Sequence, residues 1–578
     1  MTRHANHKFR LRTLIIGAFF SLIFLGIGYK AYHLQVRQGP WLSEKAAGQY
    51  ASSLKKTGTR GTIYDAGYRP LAQTVEVTSI GAHPRMIKAK RQTAQHLAEI
   101  FNIKRRSLEK KLTADKSFVW IKRQASPKEV NAVRALSVPG ITFVPEYTRF
   151  YPQRSLASQV IGFTGIDGQG LEGLEFYYNN QLEGDRDEIT FMRDAYGRRF
   201  DGDLPHAAPA SGRNLILTID ATIQFFTEKA LTDAVKENEA KSGMAVVLDP
   251  KTGAIQALAH VPKFNPNTYR KSQKGHRRNR TITDPFEPGS TLKMFSIAAA
   301  LETGNCSPNT IFYCEKGAYR IGRNVVHDTK PHGWLSLQQI LKFSSNIGAV
   351  KVGEKTGSKT LHQYLTAFGF GQRSGIDSPG ESPGSLSAYK RWSRIDAGAI
   401  AFGQGVAVST VQLAAAAGAV ANDGILMKPH LVQAITDANG RLIKKISPVQ
   451  VRRVISADTA RTLRRILGTV TTEGGTGTQA ALKGYTVGGK TGTAQKIDET
   501  GAYSKTKYVS SFLGFVPMEH PRAVILVVVD EPQGSHYGGK VAAPAFREIA
   551  QELINYRNIP SREVSGQQAV LGQQRTEA

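Results

Sequence analysis

The chain has 578 residues, 76 of them lysine or arginine against 46 aspartate or glutamate, for a formal charge of +30. That length predicts two folded units plus extra segments, the 40% apolar content is ample for a packed core, and the charge calls for anionic surroundings such as nucleic acid, lipid headgroups or acidic glycans. Its 14 histidines form no HExxH or comparable cluster and its two cysteines no zinc spacing, which argues against metal catalysis.

In chain order, the first predicted element is Thr13 to Tyr29, an uncharged run of roughly bilayer-spanning length. Arg3, Lys8, Arg10 and Arg12 precede it, so the positive-inside rule keeps residues 1–12 cytoplasmic and sends everything after Lys30 across. A cleaved signal peptide is the rival reading, but the run is long for one and no clear A-x-A site follows. After a short polar helical stretch, RGTIYDAGYRPLA from Arg60 predicts a hairpin around an Asp-Ala-Gly turn. Short strands then alternate with charged helices such as 91–112, whose cluster Lys104, Arg105 and Arg106 reads as a solvated face. GQGLEG at 168–173 fits the dinucleotide GxGxxG pattern. The stretch after its helix, DRDEITFMRD, lacks the apolar run of a buried parallel strand, so a glycine-rich turn is expected instead.

A second unit is expected from Asn214. LILTID alternates, 221–237 is helical, and MAVVLDPKTGAIQALAHVP predicts two strands joined by a turn. The tripeptide Lys-Thr-Gly occurs three times. Lys251 is placed at that hairpin tip by Asp249-Pro250, and Lys355 at a helix end closed by Gly357, with Ser358 expected as the next N-cap. Only Lys490-Thr491-Gly492 lies in a strand-like run, YTVGGKTGTAQKI, where Gly488, Gly489 and Gly492 would let an extended peptide approach, with Lys490, Thr491 and Thr493 presented to it.

The nucleophile candidate is Ser290 in FEPGSTLKMFSIAAALETG, where Pro288-Gly289 breaks the preceding segment and Ser290 opens a helix. Lys293, three residues on, lies on the same face and is buried by the apolar run that follows. Burial and a nearby like charge from Lys490 would hold it neutral as a base. S-x-x-K also occurs at Ser107, Ser387 and Ser504, without such a helix. Cys306 and Cys314 follow, a pair close enough for a small-loop disulfide in an oxidising compartment, with two free thiols as the alternative. Ser344-Ser345-Asn346 sets a polar triplet into an apolar helical segment, either as function or as a helix junction. RKSQKGHRRNR, Arg270 to Arg280, is dense enough in cations to suggest contact with anionic lipid or cell-wall polymer, and the tail from Ile559 is polar and expected to be disordered.

S-x-x-K, S-x-N and K-T-G in this order resemble the penicillin-binding proteins and active-site serine β-lactamases. RGTIYD and RFYPQRSLASQVIGFTGIDGQGLEGLE are similar to the N-terminal module of the class B penicillin-binding proteins. LTIDATIQ, NRTITDPFEPGSTLK, AFGQGVAVSTVQLA and YGGKVAAPAF are similar to their transpeptidase domain, and the pedestal wording with the short C-terminus resembles the septal, division-specific members.

The resemblance implies a multi-domain α/β (α+β) protein. An anchor at 13–29 and a non-catalytic α+β pedestal at 30–213 would precede a transpeptidase domain at 214–558, an antiparallel sheet flanked by helices, and a tail at 559–578. It further implies that Ser290 attacks the penultimate D-Ala carbonyl of a peptidoglycan stem peptide and that Lys293 takes its proton. Ser344 relays a proton to the leaving D-Ala, and Asn346 holds Lys293 and the substrate amide. Lys490, Thr491, Gly492 and Thr493 engage the substrate, and the N–H groups of Ser290 and Thr493 form the oxyanion hole. β-Lactams would inhibit, no cofactor or metal would be needed, and a membrane-bound glycosyltransferase and other division proteins would be met through the anchor and pedestal. Nucleic acid does not fit that location. An elongation-type transpeptidase, a D,D-carboxypeptidase, a soluble β-lactamase and a silent divisome scaffold are the rivals, the last opposed by the intact triad.

Overall fold

The computed structural model describes residues 3–192 and 210–561. These fall into two compact units, one containing the chain up to Gly58 together with Gly184–Ala210, the other Thr59–Glu183 and the chain from Ser211 onward. In the smaller unit, helix Arg3–Tyr32 contains the apolar run, and Phe9–Arg37 is long and apolar enough to cross a membrane. Helix Gly39–Tyr50 follows, and strand Ala51–Thr57 pairs with Arg186–Met192. That pairing is antiparallel, so the strand after GQGLEG is no part of a parallel dinucleotide-binding unit. Most of the polar tail, from residue 562, lies outside the described residues.

The larger unit is built on two sheets. The first runs Leu442–Lys445, Val432–Thr436, Asn214–Leu217, Ile63–Tyr64, Pro70–Ala82 and Val119–Ala125, and Ile141–Phe150 also pairs with Pro70–Ala82. The hairpin expected at Arg60–Ala72 is present, but Asn214–Leu217 pairs with Ile63–Tyr64 on one side and Val432–Thr436 on the other. A cut between 213 and 214 therefore runs through a continuous sheet. The helix expected at 91–112 is two, Lys90–Phe101 and Arg105–Thr113, because Asn102 turns left-handed (φ 50°). Leu108 and Leu112 are buried while Lys104, Arg105 and Arg106 stay in solvent.

GQGLEG has a packing explanation. Gly170–Glu172 pairs with Phe163–Thr164, and a Cβ on Gly170 would stand 1.9 Å from the Glu175 carbonyl oxygen. The tight turn delivers Glu175 into the interior between two guanidinium groups, at 2.6 Å from Arg60 Nε and 2.6 Å from Arg149 Nε. All three side chains are almost fully buried, and the arginines hold the Glu175 carboxyl below the usual range against the opposing effect of burial.

The second sheet has five antiparallel strands in the order Ile255–Val261, Ser242–Leu248, Ala523–Asp530, Tyr503–Val516, Gly488–Ile497. In AVILVVVD every residue is buried, because the sheet is covered on both faces. Ile525, Val527 and Val529 meet helices Ala221–Glu237 and Ala543–Tyr556 on one face, while Val524, Leu526 and Val528 meet Lys293–Glu302 and Thr410–Ala421 on the other. Strand alternation thus separates two cores, and it leaves Gly488–Ile497 at a sheet edge.

Candidate active site

The three Lys-Thr-Gly repeats are sorted by their surroundings. Lys251 is exposed at the tip of the 249–254 turn, where its N–H donates to Asp249 Oδ1 (2.9 Å). Lys355 is exposed at the end of helix Asn346–Thr356. Gly357 closes that helix as expected, but Ser358 already lies inside the next one and caps nothing. Lys490 is 0% exposed.

Lys490 lies opposite Leu513, on the sheet face that meets the Lys293 helix. Thr491 and Thr493 alternate to the other face, where Thr491 Oγ1 donates to Thr476 Oγ1 (3.0 Å) and Thr493 Oγ1 accepts from Gly538 N (3.3 Å). The strand therefore does not present all three side chains on one shelf, although Lys490 Nζ still reaches Thr491 Oγ1 at 3.3 Å. Its glycines also serve packing. Cβ atoms on Gly488 and Gly489 would strike the rings of Phe515 and Phe512, and one on Gly492 would meet Ser511 Oγ and the Pro288 carbonyl.

Ser290 lies in the 3-10 turn Gly289–Leu292 that leads into helix Lys293–Glu302, half-buried. Three residues per turn stack positions i and i+3, so Lys293 follows directly beneath Ser290. Gly289 is required here. It has φ +53°, and a Cβ would stand 2.7 Å from the Thr493 carbonyl oxygen. The nucleophile turn and the edge strand therefore touch at Thr493.

Lys293 is 0% exposed, and its Nζ donates to Ser344 O (2.7 Å), Asn346 Oδ1 (2.7 Å) and, at 3.3 Å, Ser344 Oγ. These partners belong to the S-x-N triplet; the expected contact with the Ser290 oxygen is not among its hydrogen bonds. Burial pulls the Lys293 amine down to about 7, opposed by the carboxylate of Asp328. The like charge acts in the other direction from that expected. Burial first, then the charge of Lys293, pull Lys490 well below the ordinary lysine range. Lys490 Nζ donates to Ser344 Oγ at 2.8 Å, so both lysines converge on one hydroxyl.

The Ser344 triplet is a helix junction as well as part of the site. Ser344 ends helix Leu337–Phe343 in the left-handed conformation (φ 60°), and Ser345 caps helix Asn346–Thr356 by accepting from Gly348 N at 2.9 Å. A non-glycine residue held at positive φ is a strained conformation that surrounding contacts must maintain. Asp328 supplies them. It accepts from Ser345 Oγ (2.6 Å), from Asn346 N and from Ile347 N (3.0 Å). Asn346 Nδ2 donates to His327 O (2.9 Å), which turns Oδ1 toward Lys293. Nothing in the local sequence marked Asp328, a loop residue in HDTKPHG. Thr476 and Glu287 were likewise unmarked, although Glu287 Oε1 accepts from Gly405 N (2.9 Å) in the AFGQGVAVSTVQLA segment.

The remaining candidates lie elsewhere or play structural roles. Ser107 is exposed on a pedestal helix, Ser387 accepts from Trp392 Nε1 (2.9 Å), and Ser504 caps a turn by accepting from Thr506 N (3.2 Å). Cys306 and Cys314 are free and buried, and burial pushes both thiols up. In the 270–280 stretch, Arg280 is bound to Asp284 and Asp530 and Arg277 to Ser272, while Arg270, Lys271 and Lys274 face solvent.

A family model described as the penicillin binding protein transpeptidase domain matches residues 243–551, and one described as the penicillin-binding protein dimerisation domain matches residues 55–217. The chain is 35% identical over 545 residues to the probable peptidoglycan D,D-transpeptidase PenA of Neisseria meningitidis, covering 93% of this chain and 91% of that protein. It is 32% identical over 564 residues to the peptidoglycan D,D-transpeptidase FtsI of Escherichia coli, covering 96% and 93%. The crystal structure of penicillin binding protein 3 from Mycobacterium tuberculosis complexed with aztreonam superposes with a TM-score of 0.70 at 28% identity, over 88% of this chain and 98% of that one.

Proposed function

Because the chain belongs to the class B penicillin-binding proteins, penicillin-sensitive serine enzymes that act as peptidoglycan D,D-transpeptidases, we propose that it crosslinks stem peptides through an acyl-enzyme on Ser290. The observation that carries the assignment is the convergence of two buried lysines on Ser344 Oγ beneath the Ser290 turn. At a pKa of about 7 much of Lys293 is neutral at working pH. A neutral amine has two N–H bonds, which its two short contacts, Ser344 O and Asn346 Oδ1, take up. Its lone pair, left with only the longer 3.3 Å contact to Ser344 Oγ, accepts the Ser290 proton as the Ser290 oxygen attacks the penultimate D-Ala carbonyl.

The oxyanion of the tetrahedral intermediate would be stabilised by the N–H groups of Ser290 and Thr493. Collapse breaks the C–N bond, and the departing D-Ala amine takes a proton from Ser344, which is replenished through the lysine pair. Lys490, with Thr491, holds the terminal carboxylate. An amine of a neighbouring stem then attacks the ester, gives up a proton to the same relay and releases Ser290, completing the crosslink.

Mass spectrometry after incubation with benzylpenicillin tests the nucleophile. The adduct is expected on the peptide containing Ser290 and is expected to vanish in Ser290→Ala; label on Ser107, Ser387 or Ser504 would overturn the assignment.

Septal duty is the reading favoured by the pedestal wording. Helix Phe9–Arg37, preceded by cations, supports a single-pass anchor with a cytoplasmic N-terminus and an extracytoplasmic catalytic domain, coupled to a membrane-bound glycosyltransferase. The 30–213 and 214–558 division describes these roles, whatever the sheet they share. Depletion in the source bacterium is expected to give filaments with incomplete septa; swollen, rounded cells would favour elongation.

A further inference from the structure

A two-stranded ribbon beside the S-x-N triplet pairs Ile311–Tyr313 with Trp334–Ser336, and Tyr313 lies opposite Trp334. Strand alternation turns Phe312 and Leu335 into the core and leaves Ile311, Tyr313 and Trp334 on the outer face. Trp334 is 70% exposed and Ile311 62%. The Tyr313 and Trp334 rings meet there at 5.0 Å between centroids, tilted by 49°.

The ribbon is tied to the catalytic triplet. Cys314 N donates to Gly333 O (2.6 Å), and Cys314 Sγ accepts from Ser345 Oγ at 3.6 Å. The chain of contacts through Trp334, Tyr313, Cys314, Ser345 and Ser344 therefore keeps the aromatic pair within about 20 Å of Ser344, a distance that about six extended residues span. Lys351 Nζ lies over the rings of Tyr313 (5.8 Å) and Tyr319 (4.8 Å), which brings the hairpin of Ala318–Ile321 and Asn324–His327 alongside the ribbon. Its Arg320 and Arg323 are exposed and make no ion pair among the described residues.

We propose that this face binds the glycan to which a reacting stem peptide is attached. Trp334 and Tyr313 stack on the apolar face of an N-acetylated pyranose ring, and Arg320 and Arg323 meet carboxylates of the stem. The negative ring faces of tryptophan and tyrosine attract the polarised C–H groups of a sugar. Size favours a sugar over a protein. Fully covered, each ring contributes roughly 150–250 Å², so the pair falls short of the ~800 Å² per partner of a standard protein interface. Reach agrees, because a short stem whose scissile end lies in the site keeps its sugar within the same ~20 Å. The inference rests on the transpeptidase reading, which supplies the stem.

The test is titration calorimetry of the full-length protein, in a neutral detergent without a sugar headgroup, with stem-free oligosaccharides of alternating N-acetylglucosamine and N-acetylmuramic acid. Saturable binding is expected. It should weaken about tenfold or more in Trp334→Ala and in Trp334→Leu, which keeps an apolar side chain on the ribbon, and be largely retained in Trp334→Phe. A disaccharide that carries its stem should bind more tightly, and Arg320→Gln/Arg323→Gln should weaken only that ligand, several-fold. Benzylpenicillin carries no glycan, so its acylation rate should match wild type in every variant. No saturable glycan binding, or equal binding by wild type, Trp334→Ala and Trp334→Leu, overturns the proposal. Loss of acylation together with glycan binding in both Trp334 variants would show a structural ribbon and overturn it as well. A wild-type protein that binds glycan but is not acylated overturns the transpeptidase reading instead.

Discussion

Replacing Lys490 by alanine tests whether one of three identical tripeptides differs in kind from the others. The fully buried Lys490 Nζ donates to the half-buried Ser344 Oγ at 2.8 Å. A hydrogen bond involving a charged group contributes about 1.5–3 kcal/mol, equivalent to about 10- to 150-fold in rate. On the proposed reading Lys490→Ala also removes the group that holds the substrate carboxylate, and loss of such a positioned electrostatic group costs about 100-fold or more. The second-order rate constant for acylation by benzylpenicillin is therefore expected to fall by ~100-fold or more. Lys251→Ala and Lys355→Ala alter exposed side chains and should each leave it within about twofold, the scale of ordinary surface substitutions. Thermal melts of all three variants separate lost chemistry from lost folding. Equal losses at all three positions, or a wild-type rate in Lys490→Ala, would refute the reasoning.

Acylation should rise with pH through about 7 and level off above it, because the base-competent form of Lys293 is the neutral one and its fraction falls tenfold for each unit below that value; an ascending limb near the ordinary lysine range would refute the assignment of Lys293 as base. Asp328→Asn removes the carboxylate that favours the Lys293 proton, so the same pH profile should move its limb to lower pH. Its plateau should drop about tenfold as Ser345 loses a charged partner, and a limb displaced upward would contradict the Asp328 role. Glu175→Ala leaves two buried guanidinium groups without their carboxylate and should destabilise the protein by about 3–5 kcal/mol. Chemical denaturation followed by loss of penicillin labelling measures this, and a change below about 1 kcal/mol, the centre of ordinary point mutations, would mean the charge is balanced otherwise.

Much of the chain's local structure was legible in its sequence. The helix Ala221–Glu237 has the expected bounds and starts where Asp220 caps it, and the Asp249-Pro250 turn places Lys251 at an exposed tip. Pro288-Gly289 before an apolar run marked the turn that holds Ser290, and an uncharged run after four cations marked the N-terminal helix. Such signals are local, since caps, turns and periodicity depend on residues within a few positions of one another. Tertiary structure alone decided which of these elements meet. The face on which Lys490 lies follows from its register with Leu513, and the hydrogen bonds of Lys293 go to Ser344 and Asn346 because helix Leu337–Phe343 ends at a left-handed serine held through Asp328. The same holds for Glu175, shared by an arginine before strand Ile63–Tyr64 and one near the end of strand Ile141–Phe150, and for cysteines that remain free although close in sequence. Sheet register and side-chain burial are set by partners tens to hundreds of residues away, and the lowered basicity on which the proposed chemistry depends exists only after those partners have excluded water from both lysines.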